Sequence, residues 1–131
     1  MKKFLVLAFC AAVLGACANK PIYNVENHPV PLLAQKLPLD RMQAVIMTAG
    51  TKRGWKFQPA GPGHLVGVLA QTNFAATVDV YFDQRTFRII HQSTTGLKEQ
   101  DGTVRSRYNN WIRLLEQDID SALASAGIFA G

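Results

Sequence analysis

Residues 55–92 constrain this chain more than any other stretch: apolar and polar positions alternate there, and the interruptions are only two to five residues long. Period-two alternation marks strands that bury one face. Such short links join antiparallel neighbours, because a parallel crossover needs a dozen residues or more. The expected strands are 55–58, 64–71, 74–82 and 87–92, separated by Pro59-Ala60-Gly61-Pro62-Gly63, by Thr72-Asn73 and by 83–86. A helix is expected on each side. Leu39, Met42, Val45, Ile46 and Ala49 share one helical face. Asp40-Arg41-Met42-Gln43 fits a capping box with Asp in place of Ser or Thr, and Gly50 or Gly54 ends the helix. Val104, Tyr108, Trp111, Ile112, Leu115, Ile119, Ala122 and Leu123 form the stripe of a longer helix. Gly127 is its expected C′ residue and Ile128 the accompanying apolar contact. The order α-β-β-β-β-α predicts an α+β two-layer sandwich, a four-stranded antiparallel meander with both helices on one face.

The turns assign each residue a side. One face carries Trp55, Phe57, Leu65, Leu69, Ala76, Val78, Val80, Phe82, Phe87 and Ile89, and reads as the core. Trp55 is expected opposite Gly67, whose missing side chain leaves room for the indole. The other face carries Lys56, Gln58, His64, Val66, Val68, Thr77, Asp79, Tyr81, Arg88 and Ile90. One row across it is expected to run Gln58, His64, Tyr81, Arg88, and the next Lys56, Val66, Asp79, Ile90. An antiparallel sheet often leaves one face to water, so this face is either a solvated surface or a recognition surface. Its mixture of aromatic, cationic and β-branched groups suits the second. Gln58, His64, Thr77, Asp79, Tyr81 and Arg88 are the candidate interaction residues. A one-residue slip in the proline turn would send Lys56 and Gln58 to the core side.

The N-terminus carries an address. Lys2 and Lys3 precede an apolar run of 11 residues, Phe4 to Leu14. That run is too short for a helix crossing a bilayer, which takes about 20 residues, and fits a secretory signal peptide. It ends in Leu14-Gly15-Ala16-Cys17, which resembles a bacterial lipobox, so Cys17 is expected to be acylated and to become the first mature residue. Ala18 in the next position, where Asp would hold a lipoprotein at the inner membrane, directs the chain to the periplasmic face of the outer membrane. Cleavage shortens the chain from 131 residues to 115 and lowers its formal charge from +5 to +3, which weakens any nucleic-acid reading. Cys10 leaves with the signal and Cys17 is capped by lipid, so neither disulfide nor thiol nucleophile remains. The expected organisation is signal peptide over 1–16, lipidated N-terminus and Pro-rich tether over 17–38, and one α+β domain over 39–131. Pro21, Pro29, Pro31 and Pro38 carry the tether assignment, and the apolar Ile22-Tyr23-Asn24-Val25 the alternative that part of it lies on the domain.

Catalytic patterns are weak. His64 and Asp79 fall on neighbouring strands, but Ser93, Ser106, Ser121 and Ser125 lie in the following loop or on the far helix, and no Gly-x-Ser-x-Gly elbow is present. Glu116 and Asp120 at helical spacing read as a solvated face, and His28, His64 and His91 are too scattered to suggest a metal site. Gly61-Pro62-Gly63 precedes a strand, so it is not a phosphate loop. Lys52, Arg53 and Lys56 suit a helix C-terminus; Arg105 and Arg107 open the long helix, where an anion such as a lipid headgroup or a cell-wall carboxylate could meet them. His91 is the one polar strand residue aimed inward, and 93–103 reads as a polar loop.

Arg53-Gly54-Trp55, Pro62-Gly63 before a strand, and Tyr108-Asn109-Asn110-Trp111-Ile112, together with the lipobox, resemble a group of small uncharacterised proteobacterial lipoproteins. The resemblance spans residues 17–126. It implies cell location and an α+β domain, and carries over neither activity nor site residues. The expected function is a non-enzymatic outer-membrane lipoprotein, an interaction or assembly module in the periplasm. Its expected partners are the membrane, through its acyl chains, and an envelope protein or the cell wall, with no cofactor beyond the lipid on Cys17. The alternative is a small-ligand or lipid-binding module with a cavity between sheet and helices.

Overall fold

The computed structural model describes residues 19–130, which form an α+β fold. Chain order is β1 (Lys20–Pro21), β2 (Val25–Pro29), a 3₁₀ turn (Leu32–Lys36), α1 (Leu39–Thr51), β3 (Lys56–Gly61), β4 (His64–Gln71), β5 (Phe74–Phe82), β6 (Thr86–Thr95), β7 (Thr103–Val104) and α2 (Ser106–Phe129). The main sheet is antiparallel in the order β2-β6-β5-β4-β3, and β1 pairs separately with β7. The expected meander is present as β3 to β6. It is not the whole sheet: β2 adds a fifth strand beside β6.

That strand comes from the stretch expected to be a tether. From Lys20 onward it is part of the fold instead. Val25, Val30, Ala34 and Leu37 are buried, and four buried apolar groups cannot be left in solvent. The prolines fit the same structure. Pro29 lies on an edge strand, Pro31 leads the 3₁₀ turn and Pro38 leads α1, positions where a missing N–H costs little. Asp40 therefore does not cap α1; it lies inside the first turn and accepts a hydrogen bond from the Arg41 N–H. Cys17 and Ala18 lie outside the described residues.

The Thr72-Asn73 hairpin has the expected register, pairing Val66 with Asp79 and His64 with Tyr81. The proline turn does not. β3 continues through Pro59 to Gly61, with an irregularity between them, and the turn narrows to Pro62-Gly63. Gly63 has φ +69°, and a Cβ there would stand 2.6 Å from the Phe82 carbonyl oxygen. The register moves by two residues, which leaves every side chain on its expected face. Phe57, not Trp55, faces Gly67, and Gln58 faces Val66. Trp55 is still buried on the core side.

Tyr108, Ile112, Leu115, Ile119 and Leu123 of α2 are fully buried. Val104, expected in that stripe, is buried in β7 instead. Gly50 of α1 lies against Phe57 and Leu115, so α1, α2 and β3 meet there. Gly127 does not end α2. It lies within the helix, and a side chain is excluded there because a Cβ would come within 2.6 Å of the backbone at Leu33 and Ala34. Ile128, the expected apolar contact of the helix end, is exposed.

Candidate functional site: the exposed sheet face

β4, β5 and β6 place His64, Tyr81 and Arg88 in one row across the face turned away from the helices. The His64 and Tyr81 rings stack with centroids 4.3 Å apart and planes 17° from parallel. The Arg88 guanidinium carbon lies 5.1 Å from the Tyr81 centroid. One row along, Asp79 accepts a hydrogen bond of 2.7 Å from His64 Nε2. Its second oxygen accepts one of 3.1 Å from the Gln92 amide. Gln92 reaches Asp79 because β6 carries an extra residue there: Val78 pairs with His91 and Thr77 with Ser93, leaving Gln92 in the bulge. The result is a connected column, Arg88–Tyr81–His64–Asp79–Gln92. His64 and Asp79 retain 25% and 15% side-chain exposure.

Of the candidate interaction residues, His64, Asp79, Tyr81 and Arg88 come together. Gln58 is displaced to the Val66–Asp79 row by the shifted register. Thr77 lies one row farther, between Val68 and Ser93. An ionised carboxylate only accepts, so His64 Nε2 is the donor to Asp79. That is the geometry of a general base, but no hydroxyl or thiol is bonded to His64 among the described residues. What the column offers is a rigid pair of stacked rings with a cation on one side and a carboxylate on the other.

The other two histidines are also tied to carboxylates, a pairing with no signal in local sequence. His28 bonds Glu116 through Nδ1 at 2.6 Å and Asp120 through Nε2 at 3.1 Å, and stacks on Phe87 with centroids 4.5 Å apart. Tyr23 donates to the other Glu116 oxygen at 2.6 Å, which raises the phenol pKa, with burial adding to it. Asn109, buried on α2, accepts from the Tyr23 N–H and donates to the Pro21 carbonyl, 2.9 Å in each case. This cluster clamps the N-terminal segment to α2. Glu116 and Asp120, read as a solvated face, are its other half. His91 does point inward, and donates to Glu99 at 2.7 Å. The Thr94 hydroxyl and then His91 hold the Glu99 carboxyl below its usual range. Beside them the Tyr108 hydroxyl is buried with no hydrogen-bond partner among the described residues, and burial pushes its pKa up.

Arg53, in the turn after α1, forms an ion pair with Asp118 of α2. An open groove of about 870 Å³ runs along the outer side of this helix pair, lined by Arg41, Val45, Lys52, Ala122, Ala126 and Phe129 among others. Phe129, which lines it, is 85% exposed, and Leu32 of the 3₁₀ turn is 80% exposed. No described helix is long and apolar enough to cross a membrane, and no group of His, Cys, Asp and Glu among the described residues could hold a metal ion. No family model, curated protein or solved structure matches the chain.

Proposed function

We propose that the chain is a non-enzymatic lipoprotein, anchored through Cys17 to the periplasmic face of the outer membrane, and that its exposed sheet face docks an envelope partner. The observation that carries the docking face is the Arg88–Tyr81–His64–Asp79–Gln92 column. Aromatic and arginine side chains held rigidly lose little entropy on binding and supply most of the energy of interfaces. The lipobox carries the anchor. The test is crosslinking in the native envelope, comparing the parent with a Tyr81→Ala/Arg88→Ala variant. A partner captured by the parent and lost in an equally abundant, equally stable variant supports the docking face. Capture unchanged by the substitutions moves the interface elsewhere.

The groove beside α1 and α2 favours a second reading, a small-ligand or lipid-binding module. The hollow lies outside the helix pair and not, as that reading expects, between sheet and helices.

A further inference from the structure

A smaller hollow, about 480 Å³, opens between β1 and the first turns of α2. Lys20, Pro21, Ile22, Tyr23, Ser106 and Arg113 line it, with Asn109 between. Arg113 is fixed by stacking, its guanidinium carbon 4.5 Å from the Tyr23 centroid. It has no carboxylate partner among the described residues. Glu116, whose carboxylate accepts from the Tyr23 hydroxyl, is one acid beside the hollow, and the other charges nearby are mostly cations. Lys98 and Arg105 flank the hollow on neighbouring backbone, since Arg105 N–H bonds the Leu97 carbonyl and the Asn19 amide bonds the Lys98 carbonyl. The first turn of α2 holds no acidic residue. Of the two acids in the adjoining loop, Glu99 already accepts from His91 and Thr94, leaving Asp101.

The hollow also has a place in the molecule. Asn19 is tied down by its hydrogen bond to Lys98, and Lys20 pairs with Val104. Cys17 is two residues before Asn19, so an acylated Cys17 stands within about 7 Å of it. On the anchored reading, the membrane surface that takes the acyl chains would therefore lie against this end of the domain. Guanidinium and ammonium groups bind phosphate oxygens, arginine with two parallel hydrogen bonds. Pro21 and Ile22 supply an apolar wall that a free phosphate would not use.

We propose that this hollow seats the phosphate of an anionic phospholipid headgroup in the membrane that holds the anchor, between Arg113 and Lys20 with the Ser106 hydroxyl donating. The inference rests on the anchored reading above. The test uses the native acylated protein, its N-terminal peptide checked by mass for the acyl groups. It is reconstituted into phosphatidylcholine vesicles with and without phosphatidylglycerol, and amide hydrogen exchange is followed at Ile22, Tyr23 and 106–109. Phosphatidylglycerol is expected to slow that exchange about fivefold for each cation engaged. The effect disappears in Arg113→Gln, while the β5–β6 turn at the other end of the domain is unchanged. Equal exchange in both vesicles, with acyl groups confirmed, overturns the headgroup site and leaves the anchor standing. Equal protection by inorganic phosphate without vesicles reassigns the hollow to a free anion and overturns the lipid assignment. A chain without acyl groups overturns the anchor. Sedimentation of that chain with phosphatidylglycerol vesicles then decides the site, and failure to sediment overturns it.

Discussion

Single residues carry two kinds of constraint here, one steric and one polar. Phe57 is flanked by Gly50 and Gly67; a Cβ at Gly67 would lie 2.8 Å from its ring, and one at Gly50 closer still. Gly67→Ala is expected to destabilise by about 1–3 kcal/mol, the range for overpacking a filled core. A urea midpoint equal to the parent would show that the ring moves freely aside. The polar case is Tyr108, whose buried hydroxyl lacks a partner among the described residues while its ring packs edge-to-face with His91. Tyr108→Phe keeps the ring and removes the orphan group, so stability should rise, by about 1 kcal/mol. A fall in the urea midpoint would mean that the hydroxyl is bonded by water. Constraints of this type were only partly legible in the sequence. A glycine opposite an aromatic could be expected from alternation, and the correct pair was one position away in the same face. Gly127 reads as a helix stop because glycine usually is one; its true reason, contact with the Leu33 backbone, involves a segment 94 positions earlier. The partners of His28 and His91 are equally invisible, since carboxylates brought by tertiary packing leave no local pattern.

At the level of elements, parity survived where register did not. A two-residue shift in the β3–β4 pairing left the core and open faces intact, because side chains alternate with period two. What failed was the N-terminal stretch. Four prolines look like a linker by composition, yet each occupies a position where proline is tolerated, and Val25, Val30, Ala34 and Leu37 supply the burial. Residues 93–103 also depart from the expected loop, since β6 runs on to Thr95. Asp101-Gly102 is a strong short-range hairpin signal, and both residues have positive φ, 52° and 77°, in the turn that brings Thr103 back against Gln100. The clamp on β2 gives an element-level prediction. His28→Ala removes two charge-assisted hydrogen bonds and the stack on Phe87. It should cost about 1–3 kcal/mol, and hydrogen exchange should quicken in β2 while β4 and β5 stay protected. Uniform loosening of all strands would instead mean that β2 and the meander form one cooperative unit.

Across the whole molecule, pH stability is set by groups that titrate differently when folded. Asp83 accepts from the Thr86 and Arg85 N–H groups, which holds its carboxyl below the ordinary range, as Thr94 and His91 do for Glu99. A lowered folded value stabilises fully above the unfolded one and is lost as pH falls through the folded one. The urea midpoint should therefore drop below about pH 4. An Asp83→Asn/Glu99→Gln variant should start lower at pH 7 and fall less; an unchanged slope would assign the acid transition to other carboxylates. Tyr23 and Tyr108, both raised, act in the opposite direction: their contribution is full below about pH 10 and lost as pH rises. The molecule also has two unlike ends. The N-terminal segment begins at the start of α2, whereas Leu32, Leu33, Ile128 and Phe129 are exposed near its finish, about 36 Å along a helix of 24 residues. Because residues 20–37 are built into the domain, a pull on the chain ahead of Asn19 would act directly on the fold. Tension would reach the β1–β7 ribbon first, then the Asn109 and Glu116 clamp, then the β2–β6 edge, and the meander last. The N-terminal segment is thus a series of yield points, and sustained force on it would strip the first strands before the core gave way.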